Sequence, residues 1–272
     1  MIKESVVIAM EQLSYTVYPI EMRTWIIEEK TSDSQGLIYL LEGDESSLLI
    51  DTGLGTGDLK AVTDRLTSKP VSVICTHCNF DHIACNYQFK NIYIHKDEDE
   101  VLADHSSSEY LHRMRRQLVP DTYVSSVLEN YFNIKPSGAC RHIEDGHVFD
   151  LGNREIEAIH VPGHSPGSVC LLDRLSRRLF SGDTVCDWGI LLHLDYSDSP
   201  EVFLRSIRRL KAREGEFEVI YPGHHKFPLD KGYIDEYIEC AEGIINGSIS
   251  YLMGPDHIYK EAAYGRIRIT LP

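Results

Sequence analysis

The stretch Thr76-His77-Cys78-Asn79-Phe80-Asp81-His82 follows the β-branched run Val71–Ile74 and precedes helix-like sequence, so His77, Asp81 and His82 project from one strand-end loop. Imidazole and carboxylate are donors suited to zinc, iron or manganese. Asp81 also falls where a helix would begin, and the helix dipole favours a negative charge there. Taken alone, the segment also reads as a solvated loop with incidental histidines, because short motifs match by chance. Three further loops change that reading. Gly163-His164, Ser181-Gly182-Asp183 and Pro222-Gly223-His224 each follow a strand-like run and offer the same donor types. A glycine beside each ligand lets the backbone turn sharply and approach closely.

Outward from the motif, apolar runs at 24–27, 37–41 and 48–50 predict successive strands within 14–51, with Gly43-Asp44-Glu45 as a hairpin turn. A Gly-rich loop at 53–57, a helix from Asp58 to about Leu66 and a strand at 71–74 then make a strand-loop-helix-strand unit. Gly53-Leu54-Gly55-Thr56-Gly57 invites a dinucleotide-binding reading. Its spacing is not G-x-G-x-x-G, however, and the strand after the helix ends in Cys75-Thr76-His77 instead of an acidic residue.

Between 97 and 140, Ser106-x-x-Glu109 predicts a capping box for a helix with Leu111, Met114 and Leu118 on one face. Val124, Val127, Leu128 and Tyr131 predict a second helix after Pro120 and Asp121. Together they form a helical insertion placed to cover a site. Strands are predicted over 155–161, 168–172, 178–181 and 219–221, and helices over about 200–212 and 233–246. Two βα-rich halves predict an α+β chain with two sheets packed together and helices outside, in a single domain over 1–272.

The 272 residues carry 27 Lys plus Arg against 42 Asp plus Glu, a formal charge of -15, which repels a polyphosphate backbone or an anionic membrane surface. Nucleic acid and membrane partners are therefore not expected; a small-molecule substrate is. No apolar run approaches the roughly 20 residues of a membrane span, and the opening MIKESVVIAMEQ lacks a signal-type core, so a cytoplasmic protein is expected. Seven scattered cysteines indicate neither a disulfide framework nor a zinc ribbon, and buried thiols are expected. Oligomeric state is left open, a homodimer included.

In order, spacing and strand-end context, Asp51 of Ile50-Asp51-Thr52-Gly53, then His77, Asp81, His82, His164, Asp183 and His224, resemble the metallo-β-lactamase superfamily over roughly residues 15–230. That family's pattern is an aspartate after an early strand, H-x-H-x-D-H, then a lone His, Asp and His. The resemblance implies a four-layer αβ/βα sandwich of two mixed sheets face to face with helices outside. It implies a metal-dependent hydrolase in which a metal-bound hydroxide attacks a thioester, ester, lactone or amide carbonyl. It also implies that His77 and His164 hold metal 1, that Asp81, His82 and His224 hold metal 2, and that Asp183 bridges them. Asp51 would support the ligand loop, and Asp81 would accept the released proton. Zinc is the expected metal, one ion or two, with iron or manganese as alternatives.

One position departs from the family. Asn79 stands where the second histidine should be, and its amide oxygen is a harder, weaker donor to zinc than imidazole. The expected site is therefore asymmetric, with metal 2 tight and metal 1 (His77, Asn79, His164) compromised. Antibiotic lactamases of the familiar type carry cysteine at the position of Asp183, which directs the reading toward thioesterase-like or lactonase-like relatives. Cys186 stands near where the lactonases carry a tyrosine.

Cys186, Asp187, Trp188 and His193, on the loop after Asp183, are candidate pocket residues, and His225 is an alternative to His224. The other histidines, 95, 105, 112, 142, 147, 160 and 257, are expected on the surface or hydrogen-bonded in the core, and Arg113, Arg115 and Arg116 on a solvated helix face. Rival functions are an iron-dependent oxidoreductase of the same fold and a non-catalytic metal-binding relative. A serine hydrolase using Gly163-His164-Ser165-Pro166-Gly167 is a further rival, but a nucleophile elbow needs a helix after Ser165, and 168–172 reads as a strand.

Overall fold

Strand-forming sequence dominates the first fifty residues, and the structure, a computed structural model, shows why; it describes residues 15–30, 35–107, 109, 110, 113, 140–254 and 258–272. Strands β1 (Tyr15–Ile20), β2 (Thr24–Lys30), β3 (Gln35–Glu42) and β4 (Ser47–Ile50) form an antiparallel meander. β3 and β4 are buried on both faces, so they read as continuous apolar runs instead of alternating ones. The Gly43 N–H donates to Ser46 O at 2.9 Å and closes the hairpin at the predicted turn.

Helix α1 (Leu59–Leu66) starts at Asp58, whose Oδ1 accepts the Ala61 N–H at 2.9 Å, a cap worth about 1 kcal/mol. The chain then crosses over, and β5 (Val71–Ile74) runs parallel to β4 with Ile50 opposite Ile74. Helix α2 (Phe80–Ile83) is a single turn, shorter than the sequence suggests. β6 (Ile92–His95) lies parallel to β5, α3 spans Asp99–His105, and β7 (Arg141–Ile143) completes a sheet of order β1-β2-β3-β4-β5-β6-β7.

The chain divides into two compact units. Unit 1 is Met1–Ile94, Asp99–Ile143 and Phe149–Arg154; unit 2 is His95–Glu98, Glu144–Val148 and Glu155–Pro272. After β8 (Val148–Asp150), unit 2 continues with β9 (Glu155–His160), β10 (Val169–Asp173), β11 (Arg178–Gly182), β12 (Ile190–Leu191), α4 (Pro200–Ala212), β13 (Val219–Pro222) and α5 (Gly232–Ile245). It ends with β14 (Tyr251–Met253), β15 (Lys260–Tyr264) and β16 (Ile267–Leu271).

One sheet has the order β13-β11-β10-β9-β8, antiparallel from β9 to β11, with β11 and β13 parallel and Gly182 opposite Pro222. The other has the order β12-β16-β15-β14. Phe203, Leu204, Ile207 and Leu210 form one apolar stripe of α4, and Tyr233, Ile234, Tyr237, Ala241 and Ile244 one of α5. Both stripes enter a core with Ile159, Leu172, Leu179, Ile220 and Ile269, where the Phe203 and Tyr237 rings meet edge to face at 5.6 Å.

The fold is α+β with mixed sheets, as expected, but two details differ from the sequence reading, and a third reading is beyond the described residues. The cap in the insertion is Ser107, whose Oγ accepts the Tyr110 N–H at 3.1 Å, and not Ser106, whose own N–H closes the α3 turn onto Leu102 O. Helix faces expected at 111–118 and 124–131 lie outside the described residues, Arg113 excepted. The sheet of β12, β14, β15 and β16 was not foreseen. All three residues of β14 are exposed, so the strand has no burial alternation to read.

Candidate metal centre

Unit 1 presents its candidate ligands at the C-terminal ends of two parallel strands. Asp51 and Thr76 follow β4 and β5, and the Asp51 N–H donates to Ile74 O at 2.9 Å. Asp51 is 2% exposed and adopts φ +63°, a left-handed conformation uncommon for aspartate and held only where surroundings impose it. Its Oδ1 accepts the Thr76 N–H at 2.6 Å, and its Oδ2 accepts the Thr76 hydroxyl at 2.8 Å and faces His82 Nδ1 at 2.8 Å. One buried carboxylate thus fixes this loop and the ring of the candidate ligand His82.

Because Nδ1 of His82 is engaged by Asp51, Nε2 is the nitrogen presented outward, 4.0 Å from Asp81 Oδ2. Thr52 ties the loop down further, its N–H on His82 O at 2.7 Å. The His77 and His82 rings lie 4.0 Å apart, and Thr76 Oγ1 sits 3.1 Å from His77 Nδ1. Asn79 is half-buried at the N-cap of α2, where its carbonyl accepts the His82 N–H at 2.9 Å. Glu29, wholly buried, braces the neighbouring Gly-rich loop by accepting Leu54 N–H at 2.6 Å and Thr56 N–H at 2.5 Å; burial pushes its carboxyl pKa up. That loop is a bracing turn of the Asp51 segment, in keeping with the missing dinucleotide spacing.

Unit 2 repeats the device at β11 and β13. Their parallel register brings Asp183 and His224 to adjacent strand ends, joined by the Gly223 N–H on Gly182 O at 2.8 Å. His224 Nε2 is 3.4 Å from Asp183 Oδ1, and His164 Nε2 is 3.9 Å from Asp183 Oδ2, so each carboxylate oxygen faces a different imidazole. Two donors about 2.1 Å from a tetrahedral ion lie about 3.4 Å apart, so this donor set fits divalent metals. Nδ1 of His164 lies 3.0 Å from Leu191 O, which assigns its N–H to that carbonyl and leaves Nε2 for a ligand role.

Gly182 takes φ +51°, and Gly163 has Phe203 against the place a Cβ would fill, as the glycine argument requires. At the third loop the left-handed residue is His225, φ +61°, one past His224. His224, not His225, faces Asp183.

Of the candidate pocket residues, Trp188 is exposed and meets the His225 ring edge to face at 5.7 Å, while Asp187 Oδ1 accepts the Lys226 N–H at 3.3 Å. Burial lowers the His225 pKa. His193 stacks on Tyr259 at 4.7 Å and meets Thr270 Oγ1 at 2.7 Å. Cys186 is buried, with Sγ 3.5 Å from Gly182 O, and burial drives its thiol pKa well up. Ser165 is wholly buried, its Oγ held by Glu98 at 2.6 Å and Ser168 at 2.7 Å, and the strand β10 follows at once, so it has neither the exposure nor the helix of a nucleophile elbow.

Several residues carried no sequence signal. Tyr110 packs on His105 at 4.2 Å and on Phe80 at 6.2 Å, next to the ligand loop; its pKa is raised by burial and then by the charges of Asp104 and Asp81. Cys75-Thr76-His77-Cys78 is a CxxC pair that the sequence reading passed over; both cysteines are free thiols, and Cys75 Sγ accepts the Asn86 amide N–H at 3.3 Å. His95 and His160, expected to be unremarkable, stack at 3.9 Å and 14°, near Asp97. Near-parallel rings cannot aim in-plane lone pairs at one ion, so this cluster is not a metal site by that geometry.

A family model described as the metallo-beta-lactamase superfamily matches residues 31–224. An acyl-coenzyme A thioesterase MBLAC2 from Bos taurus is 31% identical over 238 residues, 79% of this chain and 85% of that one. A probable polyketide biosynthesis zinc-dependent hydrolase, BaeB of Bacillus velezensis, is 30% identical over 173 residues, 61% of this chain and 63% of that one. Among solved structures, a metallo-beta-lactamase from Pontibacter korlensis superposes with TM-score 0.62 at 18% identity, covering 84% of this chain and 99% of that one, which shows the fold alone.

Proposed function

Because this chain belongs to the metallo-β-lactamase superfamily, we propose that it is a metal-dependent hydrolase of acyl thioesters or related esters, with zinc as its metal. The observation that carries this reading is the donor chemistry. Asp51 and Leu191 O each engage one nitrogen of a histidine and leave the other for a ligand, and Asp183 faces two imidazoles with different oxygens. In the proposed centre, His77, His164 and Asn79 serve metal 1, Asp81, His82 and His224 serve metal 2, and Asp183 serves both. At the described start of the expected insertion, Tyr110 packs beside Phe80 of the candidate ligand loop.

When bound, a divalent metal supplies Lewis acidity and lowers the pKa of a coordinated water to about 7. The protein's own groups do the rest. Asp51 locks the His82 ring, and the Asp81 carboxylate, only partly buried, accepts the proton released on attack. The ring pairs Trp188 with His225 and His193 with Tyr259 are candidate apolar surfaces for an acyl group. The thioester preference follows from the MBLAC2 relatives, whose name gives acyl-coenzyme A as their substrate class.

All described cysteines are free, which suits the reducing cytoplasm, and no described helix is long and apolar enough to cross a membrane. The test is a panel of acyl-CoA and uncharged thioesters, lactones, phosphodiesters and a chromogenic β-lactam, with and without chelator. Thioester cleavage that chelation abolishes and zinc restores is expected. Silence across the panel with metal bound contradicts the reading.

A further inference from the structure

We propose that Glu98 is a positioning residue for His164, a buried carboxylate that aims this imidazole at its metal by clamping the turn that follows it. The inference rests on the metal-centre reading above and adds a residue to it. Asp183 and His224 leave the ends of parallel strands, and the strand register itself brings them together. His164 has no such support. It lies in the loop of the antiparallel hairpin from β9 to β10, closed by the Val161 N–H on Ser168 O at 2.8 Å, and a six-residue hairpin loop does not by itself fix one side chain.

What fixes it comes from elsewhere in the chain. Residues His95–Glu98 belong to unit 2, although the segments on either side of them belong to unit 1. That excursion delivers Glu98, 0% exposed, to the His164 turn. Its Oε1 accepts the Ser165 hydroxyl at 2.6 Å and the Gly167 N–H at 2.8 Å. A Cβ on Gly167 would lie 2.7–3.0 Å from Glu98 atoms, so the two segments touch as closely as they can. Ser165 Oγ is shared with Ser168 Oγ at 2.7 Å, and the Ser197 hydroxyl holds His164 O at 2.8 Å. With Leu191 O on Nδ1, the residue is restrained at its ring, at its carbonyl and through the turn that follows.

A buried carboxylate is an expensive way to fill space, and an apolar side chain of similar volume would pack at least as stably. Its use here is explained by orientation. With Asn79 in place of an imidazole, metal 1 depends heavily on His164, so a loosened ring should show at that ion first.

Zinc alone is the probe. Wild type and the variants Glu98→Gln, Glu98→Ala and Ser165→Ala are titrated against a competing chelator. Glu98→Ala should weaken the lower-affinity zinc by about 10–100-fold, the range for loss of an orienting partner, and leave the tighter zinc nearly unchanged. Glu98→Gln, whose amide oxygen still accepts both donors, should restore wild-type binding. Ser165→Ala, which removes one of the two donors and keeps Glu98, should fall between, and it carries the test if Glu98→Ala does not fold. Wild-type binding with Glu98→Ala unchanged, with both ions weakened alike, or without rescue by Glu98→Gln overturns the proposal alone. A wild-type chain that binds no zinc overturns the metal-centre reading and this inference with it.

Discussion

The ligand loop of unit 1 and the ligand loops of unit 2 reach similar chemistry by different support. In unit 1 a single residue, Asp51, holds the backbone, the Thr76 hydroxyl and the His82 ring at once, and four of the candidate ligands, His77, Asn79, Asp81 and His82, share one short loop. In unit 2 the candidate ligands come from three separate loops. Two are aligned by the β11–β13 register, and the third, His164, is aligned by Leu191 O and the Glu98 clamp. Support concentrated in one loop is legible from sequence, whereas support delivered by distant segments is not.

The largest expected effect breaks unit 2 at its shared point. Asp183→Ala removes the carboxylate that faces both His164 and His224, and thioester hydrolysis should fall by at least about a thousandfold in steady-state assays, the equivalent of roughly 4 kcal/mol. Asp51→Ala strikes the concentrated support of unit 1. It should cost about 10–100-fold in zinc affinity at the tighter site, read by chelator competition, and also lower the Tm, because buried donors lose their acceptor at about 1–3 kcal/mol each.

Asn79→His sharpens the comparison in the other direction. A second imidazole on the unit 1 loop should tighten the weaker zinc by about tenfold or more and bring the two binding phases closer. Ser165→Ala should leave hydrolysis within about tenfold of wild type, since its hydroxyl orients a turn and attacks nothing; loss of all turnover with zinc still bound would reinstate a serine mechanism.

The smallest effect concerns the segment that carries Glu98. Burial, and then the neighbouring His160, hold the His95 pKa down to about 4 from 6.5. Between these values the unfolded chain binds a proton that the folded chain excludes, so His95 draws stability down as pH falls from 6.5 toward 4. His95→Gln should flatten that part of a Tm-against-pH curve, and an unchanged slope would contradict the assignment.

The sequence made the donor set and most of the strands legible because both depend on local pattern. Apolar runs ending in Gly-His, Gly-Asp and Asp-Thr-Gly mark strand ends and turns wherever the fold takes them. The strand runs of the first fifty residues with the Gly43 turn, the helix starting at Asp58, and α4 were readable for the same reason. Glu98 was not, because its partners lie 67 and 69 residues away and nothing in Lys96-Asp97-Glu98-Asp99 distinguishes a buried carboxylate from a solvated one. The His95 and His160 stack is equally non-local. The sheet of β12 and β14–β16 was missed because Tyr251, Leu252 and Met253 expose apolar side chains, contrary to the rule by which strands are read.

The proposed asymmetry of the metal centre is tested most directly by calorimetric titration of chelator-stripped protein with zinc. One ion bound tightly and a second at least about tenfold more weakly is the expected result, the consequence of an amide in place of an imidazole at Asn79. Two equally tight ions, or none, would contradict it.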